Sequence, residues 1–334
     1  MEADKLVKLF QAEFELCKVT PAQSAIVLSS DKSREGYAAA ALQALLNIGA
    51  KAFELRTVTP PGRKDGSVGN TPVAGNRVAL EALKAADFVV DLVFLLHSPE
   101  QAEVLAAGTR ILLVVEPPSV LMRHLPTEEL RLSVKRGAAK LRKARQLRVT
   151  SEAGTDLHMK IGDYPVIEQY GFTDEPGRWD HFPSAFFYTW PNEGDTHGRV
   201  VLNKGDLVWP LNKYLDAPVT LTVEGGYIRK IEGGLDAEML RDAFESFNDP
   251  EAYAVAHMGW GVDPRSKFDA LLSEPSSVGN DARSFSGNVQ FSTGPNLEVG
   301  GTRATLGHFD MPMLGCTLLL DDQPVVINGQ VVEN

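Results

Sequence analysis

Cysteine is scarce in this sequence, and the two cysteines present are widely separated. Cys17 and Cys316 lie almost 300 positions apart in a chain of 334 residues and form no ligand cluster. This spacing argues against a disulfide framework and against cysteine-based zinc binding. We therefore expect a protein from a reducing compartment.

Positive charge is also in deficit. The chain has 33 Lys and Arg residues against 44 Asp and Glu residues, which gives a formal net charge of −11. Nucleic-acid binding needs a concentrated basic surface, so the composition argues against a nucleic-acid partner. The one basic run, residues 135–148, is interpreted as the solvated face of a helix.

Long apolar runs and nucleotide-binding loops are missing as well. No stretch of about 18 uninterrupted apolar residues occurs, and residues 1–5 do not begin a secretory signal. We expect a cytoplasmic protein without a membrane span. Residues 30–36, after the first predicted strand, contain neither a Gly-x-Gly-x-x-Gly turn nor a Gly-Lys-Ser loop, so a dinucleotide cofactor is not expected.

The first part of the chain alternates short apolar runs with amphipathic segments. Strands are predicted at 24–29, 52–55, 88–93 and 110–115, and helices at 4–17, 37–46, 77–85 and in the basic segment that ends near 144. This alternation predicts an N-terminal parallel α/β sheet domain over residues 1–146. The breaker-rich segment 60–67 is interpreted as a surface loop, with a mobile lid as the alternative.

From residue 147 onward the chain changes to short strands and frequent glycines. Strands are predicted at 147–150, 156–161, 200–202, 219–223, 317–320 and 325–327, with one helix at 235–247. We therefore predict a β-rich α+β domain over residues 147–334.

Two segments of this second domain hold residues suited to a metal ion. His257 lies in one, and His308 and Asp310 lie two apart in the apolar run 306–312. If that run is a strand, His308 and Asp310 point the same way, because side chains alternate between faces. Two imidazoles and a carboxylate can hold Fe(II) or a catalytic zinc ion. From spacing alone, a hydrogen-bonded structural pair stays an open alternative.

Other polar groups could be brought to such a site. His97 follows a predicted strand, where doubly wound sheets place functional groups, but it equally suits a helix N-terminus without special role. Glu168 and His181 lie in aromatic-rich segments that we interpret as irregular pocket walls, with core-capping loops as the alternative. The remaining histidines have no convergent groups near them and are expected to be structural or exposed: His124, His158 and His197.

Taken together, these segments resemble the aminopeptidase T-like metalloenzymes over most of residues 150–334. The similarity rests on Gly154-Thr155-Asp156-Leu157, Phe182-Pro183 ahead of Asn192-Glu193-Gly194 and Gly198, His257-x-Gly259-x-Gly261-x-x-Pro264, and His308-x-Asp310. That family uses glutamates near the second and third of these segments in a two-metal site. This sequence has Ala185 and His257 there instead, which implies a single metal, because a two-metal clamp needs bridging carboxylates.

Within that family, the sequence resembles a branch of Fe(II) ring-cleaving dioxygenases of pyridine catabolism. The resemblance implies that Fe(II) is held by His257, His308 and Asp310. It also implies a small aromatic N-heterocycle and O2 as partners, and relatives of this scaffold form homo-oligomers.

The resemblance further implies a set of substrate-binding residues: Leu96, His97, Glu168 and His181. His97 is predicted to be the base that accepts a ring-hydroxyl proton, because neutral histidine is suited to proton transfer near neutral pH. His181 and Glu168 are predicted to orient the ring or to move protons.

Two other interpretations suit the same residues. A metallopeptidase with zinc or cobalt would retain the activity of the wider family, but the missing glutamates argue against it. A catalytically silent metal-binding or oligomerisation protein could share the scaffold, but the presence of all three potential ligands argues against that.

Overall fold

The structure is a computed structural model that describes residues 2–61 and 68–332. Most of the segment 60–67, predicted to be a surface loop or lid, lies outside the described residues. The helices are α1 (Glu2–Leu16), α2 (Tyr37–Ile48), α3 (Arg77–Ala85), α4 (Pro99–Ala106), α5 (Pro118–Arg123), α6 (Glu128–Lys143), α7 (Leu235–Glu245), α8 (Ala270–Ser273) and α9 (Asn280–Ser284). None of them combines the length and apolarity needed to cross a membrane.

The strands are numbered in chain order as well. They are β1 (Ser24–Ser29), β2 (Lys51–Arg56), β3 (Phe88–Asp91), β4 (Arg110–Leu113), β5 (Gln146–Ser151), β6 (Asp156–Ile161), β7 (Ile167–Gln169), β8 (Trp179–His181), β9 (Phe186–Thr189), β10 (Pro191–Leu202), β11 (Leu207–Val208), β12 (Lys213–Tyr214), β13 (Val219–Glu224), β14 (Tyr227–Gly233), β15 (Val255–Gly261), β16 (Val289–Thr293), β17 (Phe309–Met313), β18 (Cys316–Leu320), β19 (Gln323–Ile327) and β20 (Gln330–Val331).

Contacts divide the chain into two compact units. The first comprises Met1–Thr127 and Gln169–Ser184, and the second comprises Glu128–Glu168 and Ala185–Asn334. This division departs from the predicted boundary between residues 146 and 147. Helix α6 belongs to the second unit because Gly137 lets the Phe187 ring of β9 pack directly against it.

The first unit is built on a parallel sheet with the strand order β2-β1-β3-β4-β8. Helices cover both faces: Phe14 of α1 packs on Phe88 of β3, whereas Leu83 of α3 packs with Val89, the next residue of that strand. A strand covered on both faces needs apolar side chains on both faces, which explains its short continuous apolar run. The predicted parallel α/β sheet is confirmed.

Strand β8 reaches this sheet from the middle of the chain. Its residues pair in parallel with β4, so that His181 is opposite Leu113. The prediction of an irregular segment around His181 was therefore wrong. Three residues are too few to show a strand pattern, and the pairing depends on a partner strand far away in sequence.

The second unit is β-rich, as predicted. It contains an eight-stranded sheet of order β14-β13-β10-β6-β5-β18-β19-β20, a five-stranded sheet of order β17-β16-β15-β9-β7 and the small pair β11-β12. Glu168 lies on β7, so its segment is also a short strand rather than the predicted irregular wall. In the five-stranded sheet, β15, β16 and β17 are buried along their whole length.

Candidate metal centre

Three side chains of the five-stranded sheet converge in the interior of the second unit. His257 lies on β15, Asp310 lies on β17, and His308 directly precedes β17. Asp310 Oδ1 is 3.5 Å from His257 Nε2 and 3.4 Å from His308 Nε2. The three residues are 2–4% exposed, and each can offer a ligand atom within 4.8 Å of the other two.

Strand β16 lies between the two strands that carry this triad, and Ser292 of β16 connects them. Ser292 pairs with Asp310 across the sheet. Its hydroxyl also accepts a hydrogen bond from His257 N at 3.0 Å and donates one to His257 O at 2.6 Å. The β15–β16 register shifts between Val255 and Met258, and such bulges redirect a side chain. The bulge thus aims the His257 ring.

Steric constraints explain why the His257 segment has glycine at positions 259 and 261. A Cβ at Gly259 would overlap the carbonyl oxygen of Phe187 on β9, and one at Gly261 would overlap the backbone near Phe285. Both positions therefore require glycine because neighbouring backbone approaches closely. The two glycines therefore allow the strand that carries His257 to pack closely, and they do not take part in a reaction.

His308 is oriented by the backbone of β16. Its Nδ1 lies 2.9 Å from the carbonyl oxygen of Thr293, so the ring donates its Nδ1–H to that oxygen. This tautomer leaves the Nε2 lone pair on the side of Asp310, the arrangement usual for a metal-bound histidine. The prediction that His308 and Asp310 point together is confirmed in geometry, although the strand begins only at Phe309.

Arg283 holds the second oxygen of Asp310. Its Nη1 donates to Asp310 Oδ2 at 2.7 Å, and its Nη2 donates to Val278 O at 2.9 Å. Both Arg283 and Asp310 are buried. The carboxylate is therefore pinned through Oδ2 and presents Oδ1 alone to the histidines.

Aromatic rings surround the imidazoles. Tyr188 lies 4.3 Å from His257 between ring centroids, Trp190 lies 5.2 Å from His257, and Trp209 lies 5.9 Å from His308. Trp209 is also joined to Asp310 by two backbone hydrogen bonds of 2.9 and 3.1 Å. These rings keep bulk water away from the triad, which strengthens electrostatic interactions there.

The charge of Asp310 reflects this environment. Burial raises the pKa of its carboxyl group, but the neighbouring side chains of His308, Arg283 and His257 lower it and outweigh burial, so that the pKa lies well below its ordinary value. Asp310 is thus ionised, as a metal ligand must be.

The triad fits a metal ion by its donor chemistry. The separations of 3.4–3.5 Å are long for hydrogen bonds, and Asp310 Oδ1 has no hydrogen-bond partner among the described residues. A buried carboxylate oxygen without a partner is costly unless a ligand occupies it. Two imidazole nitrogens and one carboxylate oxygen suit Fe(II) or zinc, with positions left open for other ligands.

The other predicted residues lie in different places. Leu96 and His97 belong to the loop after β3, in the first unit. Asp91, the last residue of β3, shapes this loop by accepting backbone hydrogen bonds from Val93, Phe94 and Leu95 at 2.8–2.9 Å. His97 has a left-handed backbone with φ of 58°. Such conformations in non-glycine residues often occur at functional sites.

His181 ends β8, also in the first unit. Its strand and β3 flank β4, so His97 and His181 belong to the same carboxyl edge of the parallel sheet, where doubly wound folds place binding groups. The backbone of His181 donates to Asp180 Oδ1 at 2.8 Å.

Glu168 belongs to the second unit and forms an ion pair with Arg142 of α6. Its role in substrate binding stays a prediction, as do the roles of Leu96, His97 and His181.

Sequence reasoning missed Arg283, Asp91 and Asp180. Asp91 left one signal, an acidic residue at the end of an otherwise apolar run, Phe88-Val89-Val90-Asp91. Arg283 of α9 left none, because its partner is 27 residues away on strand β17.

The α/β architecture and the buried His-His-Asp set fit the class of metal-dependent enzymes. A family model for 2,5-dihydroxypyridine 5,6-dioxygenase (NicX) matches residues 5–333. The chain belongs to this family of dioxygenases, which are oxidoreductases.

Individual relatives agree with this assignment. A 2,5-dihydroxypyridine 5,6-dioxygenase of Pseudomonas putida strain KT2440 is 45% identical over 336 residues, covering 98% of this chain and 96% of the relative. The structure of 2,5-dihydroxypyridine dioxygenase from P. putida KT2440 superposes with a TM-score of 0.96 at 44% identity, over 99% of this chain and 98% of that one.

A more distant structure, wild-type AmpT from Thermus thermophilus, has a TM-score of 0.59 at 13% identity, over 98% of this chain and 99% of that one. This likeness supports the aminopeptidase T-like resemblance at the level of the fold.

Proposed function

We propose that this chain is an Fe(II)-dependent ring-cleaving dioxygenase that converts 2,5-dihydroxypyridine and O2 to N-formylmaleamic acid. Both atoms of O2 enter the product as the bond between C5 and C6 breaks, so the atoms balance. The convergence of His257, His308 and Asp310 in a member of this dioxygenase family is the observation that carries the proposal.

The proposed ligands are His257 Nε2, His308 Nε2 and Asp310 Oδ1. Fe(II) bound there supplies open coordination positions and the redox capacity that dioxygen chemistry needs. The chain contributes the geometry: Ser292 fixes the backbone of His257, Thr293 O fixes the tautomer of His308, and Arg283 restricts Asp310 to one oxygen. Orienting contacts of this kind tune the affinity of metal sites.

The proposed substrate-binding residues are Leu96, His97, Glu168 and His181. His97 acts as the base that accepts the proton of the 5-hydroxyl group, while His181 and Glu168 orient the ring or transfer protons. Support for His97 comes from its buried position, its left-handed backbone and the loop that Asp91 holds after β3.

The direct test uses protein purified without oxygen and supplied with Fe(II). Substrate absorbance at the pyridine band and O2 uptake are followed together after addition of 2,5-dihydroxypyridine. We expect equimolar loss of substrate and O2. Absence of O2 uptake would contradict the proposal, and release of amino acids from short peptides would favour the metallopeptidase instead.

Two variants distinguish the proposed metal ligand His308 from the proposed base His97. His308→Ala should lose both bound iron and turnover, whereas His97→Ala should keep the iron and lose rate by roughly 10²–10⁴-fold, the usual contribution of a general base. Loss of iron from His97→Ala would contradict this division of roles.

We also propose that this chain is cytoplasmic and forms a homo-oligomer. Light scattering of the purified chain measures the subunit number, and a monomer at micromolar concentration would contradict this part.

A further inference from the structure

The outer face of the eight-stranded sheet carries a second pair of histidines. His158 of β6 and His197 of β10 are directly opposite each other on neighbouring antiparallel strands. Their rings are stacked, with centroids 5.8 Å apart and planes inclined by 9°. Alternation along β6 buries Leu157 and Met159, which leaves the His158 side chain on the outer face and 45% exposed.

A carboxylate holds the His158 ring. Asp156 lies two residues earlier on the same strand face, and its Oδ1 is 3.2 Å from His158 Nε2. Arg148 of β5 keeps that carboxylate in place by donating to its two oxygens at 2.9 and 3.2 Å. The nearby carboxylate favours the tautomer of His158 with its proton on Nε2, which leaves the lone pair on Nδ1. Metal-binding histidines are commonly oriented by a carboxylate in this way.

The two histidines line an open concavity of about 260 Å³. Other lining residues include Lys160 and Asp195, which form an ion pair of 3.0 Å, and Asp322 of the turn after β18. The volume is several times that of one water molecule, about 30 Å³. A hydrated cation therefore fits beside the imidazoles.

We propose that His158 and His197 form a second metal site for a divalent transition-metal ion of the zinc, nickel or copper type. Cross-strand partners have Cβ atoms about 4.5–5.5 Å apart, so the two imidazoles can reach one ion once side-chain rotation takes the rings out of the stacked arrangement. Imidazole selects these ions over Mg²⁺ and Ca²⁺, which prefer oxygen ligands. Water completes the coordination.

This site is independent of the proposed catalytic centre. His158 and His197 belong to the eight-stranded sheet, whereas His257, His308 and Asp310 are carried by the five-stranded sheet. Neutral imidazole is the binding form, so protons compete with the metal and binding weakens in acid.

Titration of the full-length metal-free chain with Cu²⁺, followed by electron paramagnetic resonance, tests the proposal. Copper binds nitrogen sites most tightly of the divalent first-row metals, which makes it a sensitive probe. We expect two spectral components in the wild-type chain. His158→Ala and His197→Ala should each remove the same component, whereas His308→Ala should remove the other.

Lys160→Ala is the matched control, because Lys160 lines the concavity but is not a ligand; it should keep both components. Circular dichroism checks that each variant is folded. Persistence of both components in either His158→Ala or His197→Ala overturns the proposal, as does a wild-type chain whose only copper component is lost in His308→Ala. These readouts do not depend on ring cleavage, so failure here is distinct from failure of the proposed function.

Discussion

Asp180 of the first unit and Asp310 of the second are both buried against an arginine, and the two pairs differ in what the carboxylate does. In the first unit, Asp180 is fully buried and accepts from Arg178 at 2.6 Å. Its oxygens also accept from Ser184 Oγ and from the backbone of Tyr170 and His181 at 2.7–3.0 Å. Both oxygens of Asp180 are therefore saturated by the protein.

In the second unit, Asp310 is also buried and accepts from Arg283 at 2.7 Å, but through one oxygen only. Its Oδ1 has no hydrogen-bond partner among the described residues and faces two imidazoles. The pKa values diverge accordingly: burial raises the pKa of Asp180, whereas Arg283 and the two neighbouring histidines overcome burial and lower the pKa of Asp310. Asp310 thus keeps one carboxylate oxygen available for a ligand, whereas Asp180 keeps none.

The largest expected effect is that of Asp310→Asn. The amide oxygen can still accept from Arg283, but an NH2 group then faces the imidazoles and cannot bind a metal. We expect metal affinity to fall by more than about 100-fold, beyond the loss caused by removing an orienting contact, and turnover to fall to background. Metal content after dialysis measures this loss of affinity. A variant that retains a full complement of metal would show that Asp310 does not differ from Asp180 in binding metal.

Asp180→Asn is the matched substitution in the first unit. It replaces one of the two acceptor oxygens with an NH2 group, which then meets the donors that hold Asp180, including Arg178, whose side chain is only 15% exposed. Leaving buried polar groups without partners costs about 1–3 kcal/mol. Urea unfolding at pH 7 should show this loss while metal content stays at the wild-type level. Loss of metal without loss of stability would reverse the roles assigned to the two aspartates.

Arg283→Met tests the contact that restricts Asp310 to one oxygen. Methionine fills much of the same space without a donor, so the carboxylate is free to rotate. We expect Fe(II) affinity to fall by about 10–100-fold, as for other residues that orient a metal ligand. Fe(II) titration under anaerobic conditions measures the change, and unaltered affinity would show that Arg283 does not position Asp310.

The smallest effect is a pH dependence. Because the pKa of Asp180 is raised in the folded chain above the unfolded value of about 3.9, the folded state holds the proton more tightly. The bound proton therefore stabilises the folded state fully below about pH 4. This stabilisation is lost as pH rises through the folded-state pKa of Asp180.

The stability difference between wild type and Asp180→Asn should therefore shrink from pH 4 toward neutrality, by about 1.4 kcal/mol for each unit by which the pKa is raised. Urea unfolding curves of both chains across this range give the slope. A difference that grows with pH would contradict the raised pKa.

Much of the fold followed from local pattern. Apolar runs and helical periodicity placed α3 and β6 at their observed residues, and the alternation of elements predicted the parallel sheet. The parts that were missed depend on distant partners. Strand β8 forms only beside β4, and α6 joins the second unit through its contact with Phe187.

The same distinction holds for the metal centre. The set of His257, His308 and Asp310 was accessible because its residue types are characteristic, but its convergence depends on the bulge at His257 and on Ser292 between the strands. Similarly, His158 and His197 were expected to be structural or exposed, with no convergent groups near them. Their pairing across neighbouring strands could not be predicted, because the sequence does not give the register between strands.

The most direct test of one metal per catalytic centre is an anaerobic Fe(II) titration of the His158→Ala chain, in which the outer histidine pair cannot compete. Substrate-dependent O2 uptake is measured after each addition. We predict that the rate rises linearly and reaches its plateau at one bound iron per chain. A plateau at two bound irons per chain, or iron binding without O2 uptake, would contradict the account.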